Sequence, residues 1–207
     1  VVPVYDVTNP VQPIRLGAPT IPGPPAGVHD LTVDGDLLYL NYTGAGMVVM
    51  DVSGGFDGEG LELGRIPTSY SHASWVADIG ERRIVIHGDE GMTPDGGAFL
   101  RVLDGDPSSP TFLAELSRWR TRPEVGIHNI MIQGTKAYIA YYQDGVRVVD
   151  LADPTQPREV AHYNTYDPAT APGGAFEGAA GVRVVDGLLY VADTEQGLLI
   201  LRETGSP

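Results

Sequence analysis

Short apolar or alternating segments separated by turn-forming residues fill this chain, and their order repeats. Between His128 and Val160 an apolar run Ile130-Met131-Ile132 leads to Gln133-Gly134, and Ala137-Tyr138-Ile139-Ala140-Tyr141 follows. Gly145-Val146-Arg147-Val148-Val149-Asp150 then runs into the turn Asp153-Pro154-Thr155-Gln156-Pro157 and a last segment, Arg158-Glu159-Val160. Runs of this length bounded by Gly, Asp and Pro read as strands. A tandem unit made only of such strands predicts an all-β fold, a β-propeller of four-stranded blades.

The Asp that closes the third strand serves as a ruler and recurs as Asp6, Asp51, Asp104 and Asp150. On that register the full blades are 29–66, 72–116 and 128–163, within a single propeller domain spanning 1–207. The innermost strands begin at His29, His72, His128 and, in the last copy, Gly181. Residues 1–17 read as a partial blade, the third and fourth strands only, and 181–202 as a three-stranded last blade. Pairing the N-terminal fourth strand with the last three would close a four-blade ring, but Val2–Asp6 would then be surplus. The chain also begins Val1-Val2-Pro3 without Met. The expectation is about four blades here, forming the C-terminal part of a larger propeller.

Turn chemistry accounts for the ruler. In Asp6-Val7-Thr8-Asn9-Pro10 and Asp150-Leu151-Ala152-Asp153-Pro154 a carboxylate and a second Asx side chain can cap backbone amides, and Pro presets the bend. A structural role is expected for these Asp residues. Helical signals are weak; only Glu115–Arg120 offers a turn or so.

Composition narrows the partners. The net charge of −14 disfavours nucleic acid and anionic membrane as partners, because few cations are available to displace their counterions, and leaves cations, basic proteins and neutral ligands open. Cysteine is absent, so disulfides, thiolate catalysis and Cys-ligated metal are excluded. No apolar run approaches the roughly 18 residues that span a bilayer. The long Pro/Gly loops, Ala18–Gly27 and Thr165–Gly178, are read as loops that a partner orders. Gly91–Gly97 matches neither a phosphate loop nor a calcium loop.

The segment Gly145–Val160 resembles the LVIVD repeat, a bacterial and archaeal propeller unit. His87-Gly88-Asp89-Glu90, Gly97–Asp104, Tyr141-Tyr142 and Gly197–Arg202 resemble the related "choice-of-anchor B" proteins. The resemblance implies a propeller held outside the cytoplasm, secreted, periplasmic or on the cell surface, with the remainder of a larger surface protein or another protein as its partner. It assigns no catalytic residue. The repeat pattern is broken at Met50–Gly60, where Gly replaces the Pro turn, and at Arg202, where the ruler Asp is lost.

Candidate chemistry gathers on one propeller face. His29, His72 and His128 each stand at the start of an innermost strand and should converge on the channel mouth. Loops of the same face carry His87, Asp89 and Glu90, then Tyr141, Tyr142, Gln143 and Asp144, then Asp193–Glu195. Imidazoles with carboxylates suit Zn²⁺, Mn²⁺ or Fe²⁺, and carboxylates with carbonyls suit Ca²⁺. The candidate metal ligands are therefore His29, His72, His128, Glu90 and Asp89. The alternative is a repeat-building role, each ring bonding to the next blade's backbone. Arg118, Trp119 and Arg120, with Tyr141 and Tyr142, are candidates for partner binding, since Trp and Arg dominate such contacts. Ser71, His72 and Ser74 lack a nucleophile elbow, which argues against Ser–His hydrolysis.

The functional expectation is a non-enzymatic binding or assembly module of an extracytoplasmic or cell-surface protein. Two alternatives stand beside it: a metal-dependent hydrolase or lactonase-like enzyme at the channel mouth, and a structural spacer.

Overall fold

The computed structural model describes residues 2–20, 27–91 and 98–204. Much of the loops 18–27 and 91–97 therefore lies outside the described residues. Five antiparallel sheets follow one another along the chain. The first pairs β1 (Val4–Asp6) with β2 (Ile14–Gly17). The second holds β3 (Asp30–Asp34), β4 (Leu37–Asn41), β5 (Met47–Asp51) and β6 (Leu61–Ile66). The third holds β7 (Ser71–Ile79), β8 (Arg82–Asp89), β9 (Leu100–Asp104) and β10 (Glu115–Trp119). The fourth holds β11 (Ile130–Gln133), β12 (Lys136–Ala140), β13 (Val146–Asp150) and β14 (Arg158–Tyr163). β15 (Ala179–Val185), β16 (Leu188–Asp193) and β17 (Gly197–Leu201) complete the series.

Three of the sheets are complete, with four strands each. One outer strand departs from the expected positions. Glu115–Trp119 is strand β10 rather than a helical turn, and the outer strand of that blade runs later than 111–116. The delay comes from the Asp104 carboxylate, which accepts from the Ser109 and Thr111 hydroxyls at 2.6 Å each and holds 104–111 as a compact turn.

Strands two and three of each full blade are largely buried on both faces, which is why they read as nearly unbroken apolar runs. Along β4, Leu38 and Leu40 face one seam, with Val48, Met50 and Val2, while Tyr39 faces the other, with Val85, Leu103 and Leu113. Along β12, Ala137 and Ile139 pack with Ile84, Ile86 and Leu100 of the preceding blade. Tyr138 and Ala140 pack instead with Leu189 and Val191 of the following one. Alternation along a strand thus sends successive side chains into successive seams, and the core is a series of seams between neighbouring sheets.

The ruler Asp residues cap turns as expected. Asp6 accepts from Thr8 N at 2.8 Å, Asp51 from Ser53 N at 2.7 Å and Asp150 from Ala152 N at 3.0 Å. The Gly-rich departure at 54–60 has a separate use: Thr20 donates to Gly58 O, and Gly60 N donates to Thr20 O, each at 3.0 Å. That stitches the N-terminal segment to the first full blade. Among the described residues no strand pairs with the outer side of β17, and β2 pairs only with β1.

Candidate functional site

The rim is built by a repeated corner between the second and third strands. In the first full blade Tyr42 N donates to Gly46 O at 2.9 Å, and in the third Tyr141 N donates to Gly145 O at 2.8 Å. The residues after these tyrosines, Thr43 and Tyr142, take positive φ of 47° and 37°. This places their backbones against the next blade. Thr43 and Ser71 exchange hydrogen bonds of 3.1 and 2.8 Å, and Tyr142 and Ala179 exchange bonds of 2.9 and 3.1 Å. Each corner therefore holds the innermost strand of the following blade, and the residue just past the contact stands on the rim.

Those residues are His72 after Ser71 and Ala180 after Ala179. The fourth-blade counterpart of the histidines is thus Ala180, one position before the expected Gly181. Bulges between Ser71 and Ala73 and between Ala179 and Gly181 insert the extra residue that hides this register. Ala180 offers its carbonyl, which accepts from His128 Nδ1. His128 thereby takes the repeat-building role, reaching from one blade to the backbone of the next, with Asn129 Oδ1 2.6 Å from the same nitrogen.

The three rings do come together. The His29 and His72 centroids lie 4.4 Å apart, edge to face at 83°, and those of His72 and His128 lie 4.2 Å apart. Tyr142 flanks His128 at 5.2 Å, and the exposed Phe176 flanks Tyr142 at 5.4 Å. His29 is exposed, whereas His72 is only 3% accessible. Burial depresses the His72 pKa to about 4, against the opposing pull of Glu90, so its ring is neutral at neutral pH.

Glu90 completes the cluster. Its Oε1 accepts from the Tyr142 hydroxyl of the next blade, and its Oε2 stands 3.7 Å from His72 Nε2. Burial first, and then the Glu90 contact, raise the Tyr142 phenol pKa well above its ordinary value. One donor atom from each of His29, His72 and Glu90 falls within 4.8 Å of the other two. His128 lies beside this group, its Nδ1 already used.

Asp89 points elsewhere. Its carboxylate accepts from Ser69 N, Ser69 Oγ, Tyr70 N and Gly91 N and so clamps the loop entering the rim. His87 is fully buried in strand β8 and not in a rim loop. Its Nε2 meets Ser71 Oγ at 2.8 Å, and the Ser71 hydroxyl donates to Asn41 Oδ1 at 2.9 Å. Asn41 Nδ2 in turn donates to Ser74 Oγ at 3.0 Å. With the single Ser71 proton committed to Asn41, His87 Nε2 is the donor. This Ser–His pair forms a polar seam between blades, inaccessible to any substrate, since neither residue is exposed. Polar residues at otherwise apolar strand positions, Asn41, Ser71, Ser74 and His87, were its only signal in the sequence.

The expected partner-binding group divides. Tyr141 is fully buried, its hydroxyl donating to Ala98 O at 2.8 Å, and Tyr142 is 4% accessible. Neither presents a face to a partner, because the corner turns both rings inward. Trp119 packs edge-on to Tyr141 at 6.0 Å, on the seam core. Arg118 and Arg120 flank the Phe99 ring at 5.0 and 4.3 Å, and Arg118 also pairs with Glu115 at 2.5 Å. Asp144 is taken by Thr121 and by Arg122 at 2.9 Å.

Successive antiparallel sheets packed face to face, with their first strands delivering side chains to a common rim, define a β-propeller. The LVIVD repeat model matches residues 127–165 and 178–201, the third full blade and the last sheet, so that part of the chain is similar to LVIVD repeats, and the fold is a β-propeller. Solved structures share the fold at low identity. The computationally designed Ika4 protein superposes with a TM-score of 0.61 at 12% identity, covering 88% of this chain and 95% of the other. BamB from Moraxella catarrhalis gives 0.59 at 12%, covering 95% and 49%. KlAtg21, in a complex with the coiled-coil of AgAtg16, gives 0.58 at 12%, covering 91% and 54%. The chain thus spans nearly all of the designed propeller and about half the length of BamB and KlAtg21. No curated protein matches it in sequence.

Proposed function

We propose that this protein is a non-enzymatic binding and assembly module of an extracytoplasmic or cell-surface protein, working through the rim that carries His29, His72 and Glu90. The observation that supports this reading most is the convergence of three successive blades on that rim. His29, His72 and His128 stack there, and Phe176 adds an exposed aromatic surface beside Tyr142. A propeller of this fold held in a complex with a coiled coil, KlAtg21, is a precedent for a protein partner. The LVIVD repeat resemblance supports the extracytoplasmic setting. Against a Ser–His hydrolase stands the buried Ser71–His87 pair. A metal-dependent hydrolase is the second reading, favoured by the three donor atoms of His29, His72 and Glu90.

Site-specific photo-crosslinking in the source cell tests the module reading. A crosslinking side chain at Phe176 should yield a discrete protein adduct, and one at Ala152, exposed at the turn after Asp150 and away from the rim, should not. Equal labelling from both positions, or none from Phe176, overturns it. Turnover of ester or lactone substrates that disappears in His72→Ala would establish the hydrolase instead.

A further inference from the structure

We propose that His29, His72 and Glu90 form a binding site for one divalent transition-metal ion of the Zn²⁺ class. The proposal takes the rim as the module's working surface and names what it holds; it does not depend on the identity of a protein partner. Two observations carry it independently. One is proximity: the three donor atoms lie within 4.8 Å of one another, although His29, His72 and Glu90 come from the starts of β3 and β7 and from the end of β8. A tetrahedral ion with ligands at about 2.0–2.2 Å holds its donors about 3.3 Å apart. His72 Nε2 and Glu90 Oε2, at 3.7 Å, are already near that spacing. His29, exposed at the mouth of its strand, has the freedom to close the remainder.

The other observation is a buried ring with little hydrogen bonding. His72 is 3% accessible, its ring makes only a weak contact with the His128 backbone and no hydrogen bond of ordinary geometry at Nδ1, and its Nε2 stands beyond hydrogen-bond length from Glu90. Buried polar groups are normally paired, at a cost of about 1–3 kcal/mol when they are not. Nearby groups have structural partners: His128 has Ala180, Asp89 has Ser69, Tyr70 and Gly91, and His87 Nε2 has Ser71, although His87 Nδ1 is also buried without a partner. His72 Nε2 is the ring nitrogen that faces the Glu90 carboxylate oxygen.

The surroundings suit a metal. Tyr142 donates to Glu90 Oε1 and leaves Oε2 as the donor, the outer-shell arrangement that fixes a ligating carboxylate. Two imidazoles and one carboxylate favour Zn²⁺, Co²⁺ or Ni²⁺ over Ca²⁺ and Mg²⁺, which prefer all-oxygen shells. Three protein ligands leave one tetrahedral position for water or for a side chain of a partner.

The test uses the intact chain, stripped with chelator and titrated with ZnCl₂ against a chromophoric competitor. Metal content is read by mass spectrometry, and Co²⁺ replaces Zn²⁺ for visible spectroscopy. One ion per chain is expected, with the d–d bands of tetrahedral Co²⁺. His29→Ala and Glu90→Gln should each weaken binding at least about 100-fold, and Tyr142→Phe about 10-fold, as loss of an outer-shell partner does. His162→Ala, at the exposed ring paired with Glu159, should leave binding unchanged. Absence of stoichiometric metal in folded wild-type protein overturns the proposal. So does binding that survives both ligand variants or that falls equally with His162→Ala. If Glu90→Gln does not fold, the exposed His29→Ala decides. Metal binding without Phe176 adducts would sink the module reading and leave this site standing; adducts without metal would do the reverse.

Discussion

The Tyr142 hydroxyl donates to Glu90 Oε1, so the corner of one blade holds the buried carboxylate at the corner of the blade before it. A hydrogen bond to a charged group contributes about 1.5–3 kcal/mol. Tyr142→Phe keeps the ring that packs on His128 and Phe176 and removes only the hydroxyl. It should lower unfolding free energy by about that amount in urea titrations, with an unchanged m-value. A change below about 0.5 kcal/mol would mean that water serves Glu90 equally well.

Gly145 and Gly134 both take positive φ, of 70° and 62°, yet they differ in surroundings. A Cβ on Gly145 would stand 2.3 Å from Tyr163 O, whereas one on Gly134 meets nothing within 4 Å. Gly134→Ala should therefore lose only the conformational part, about 1 kcal/mol. Gly145→Ala should lose clearly more, because the outer strand must be displaced from the corner. Thermal midpoints of the two variants, side by side, check this.

Burial holds both His72 and His87 near pKa 4, below the ordinary 6.5. Between those values the unfolded chain takes up protons that the folded chain refuses, so acid favours unfolding there. For these groups stability should be flat above pH 6.5, fall steadily between pH 6.5 and about 4, and level off below. Urea midpoints across pH 4 to 8 would show it. His87→Gln, which keeps a donor for Ser71, should remove about half of that slope. An unaltered slope in the variant would assign the effect to other groups.

Ile139 is fully buried in the seam between the second and third full blades. Ile139→Ala should lose about 2–5 kcal/mol through transfer and cavity terms. Val160, about half exposed on β14, should tolerate Ala within about 0.5 kcal/mol. Chemical denaturation of the two variants provides the comparison.

Much of this was legible because period-two alternation and turn residues act locally. The strands of the third full blade fall within a residue or two of the positions that Gly145, Asp150 and Pro154 suggest, and the capping by Asp6, Asp51 and Asp150 follows from side-chain reach alone. The rim histidines were legible as strand starts. What escaped depended on long-range packing. A bulge moved the fourth-blade counterpart to Ala180, and bulges leave no composition signal. The Asp104 turn delayed β10, because Ser109 and Thr111 could satisfy the carboxylate only by lengthening the loop. Tyr141 and Asp89 read as rim residues, but their orientation is set by Ala98, Ser69 and Tyr70, partners distant in sequence.

The handshakes of Thr43 with Ser71 and of Tyr142 with Ala179 run only from each blade to its successor. Energetically the molecule behaves as a chain of nearest neighbours, in which a disturbance is felt across one boundary and fades at the next. Losses from Leu103→Ala and Val191→Ala, in non-adjacent boundaries, should therefore sum, while Ser71→Ala and Asn41→Ala, sharing one network, should not. Damage at one end of the series of blades leaves the grip at the other intact, so the first and last blades can be altered independently of each other.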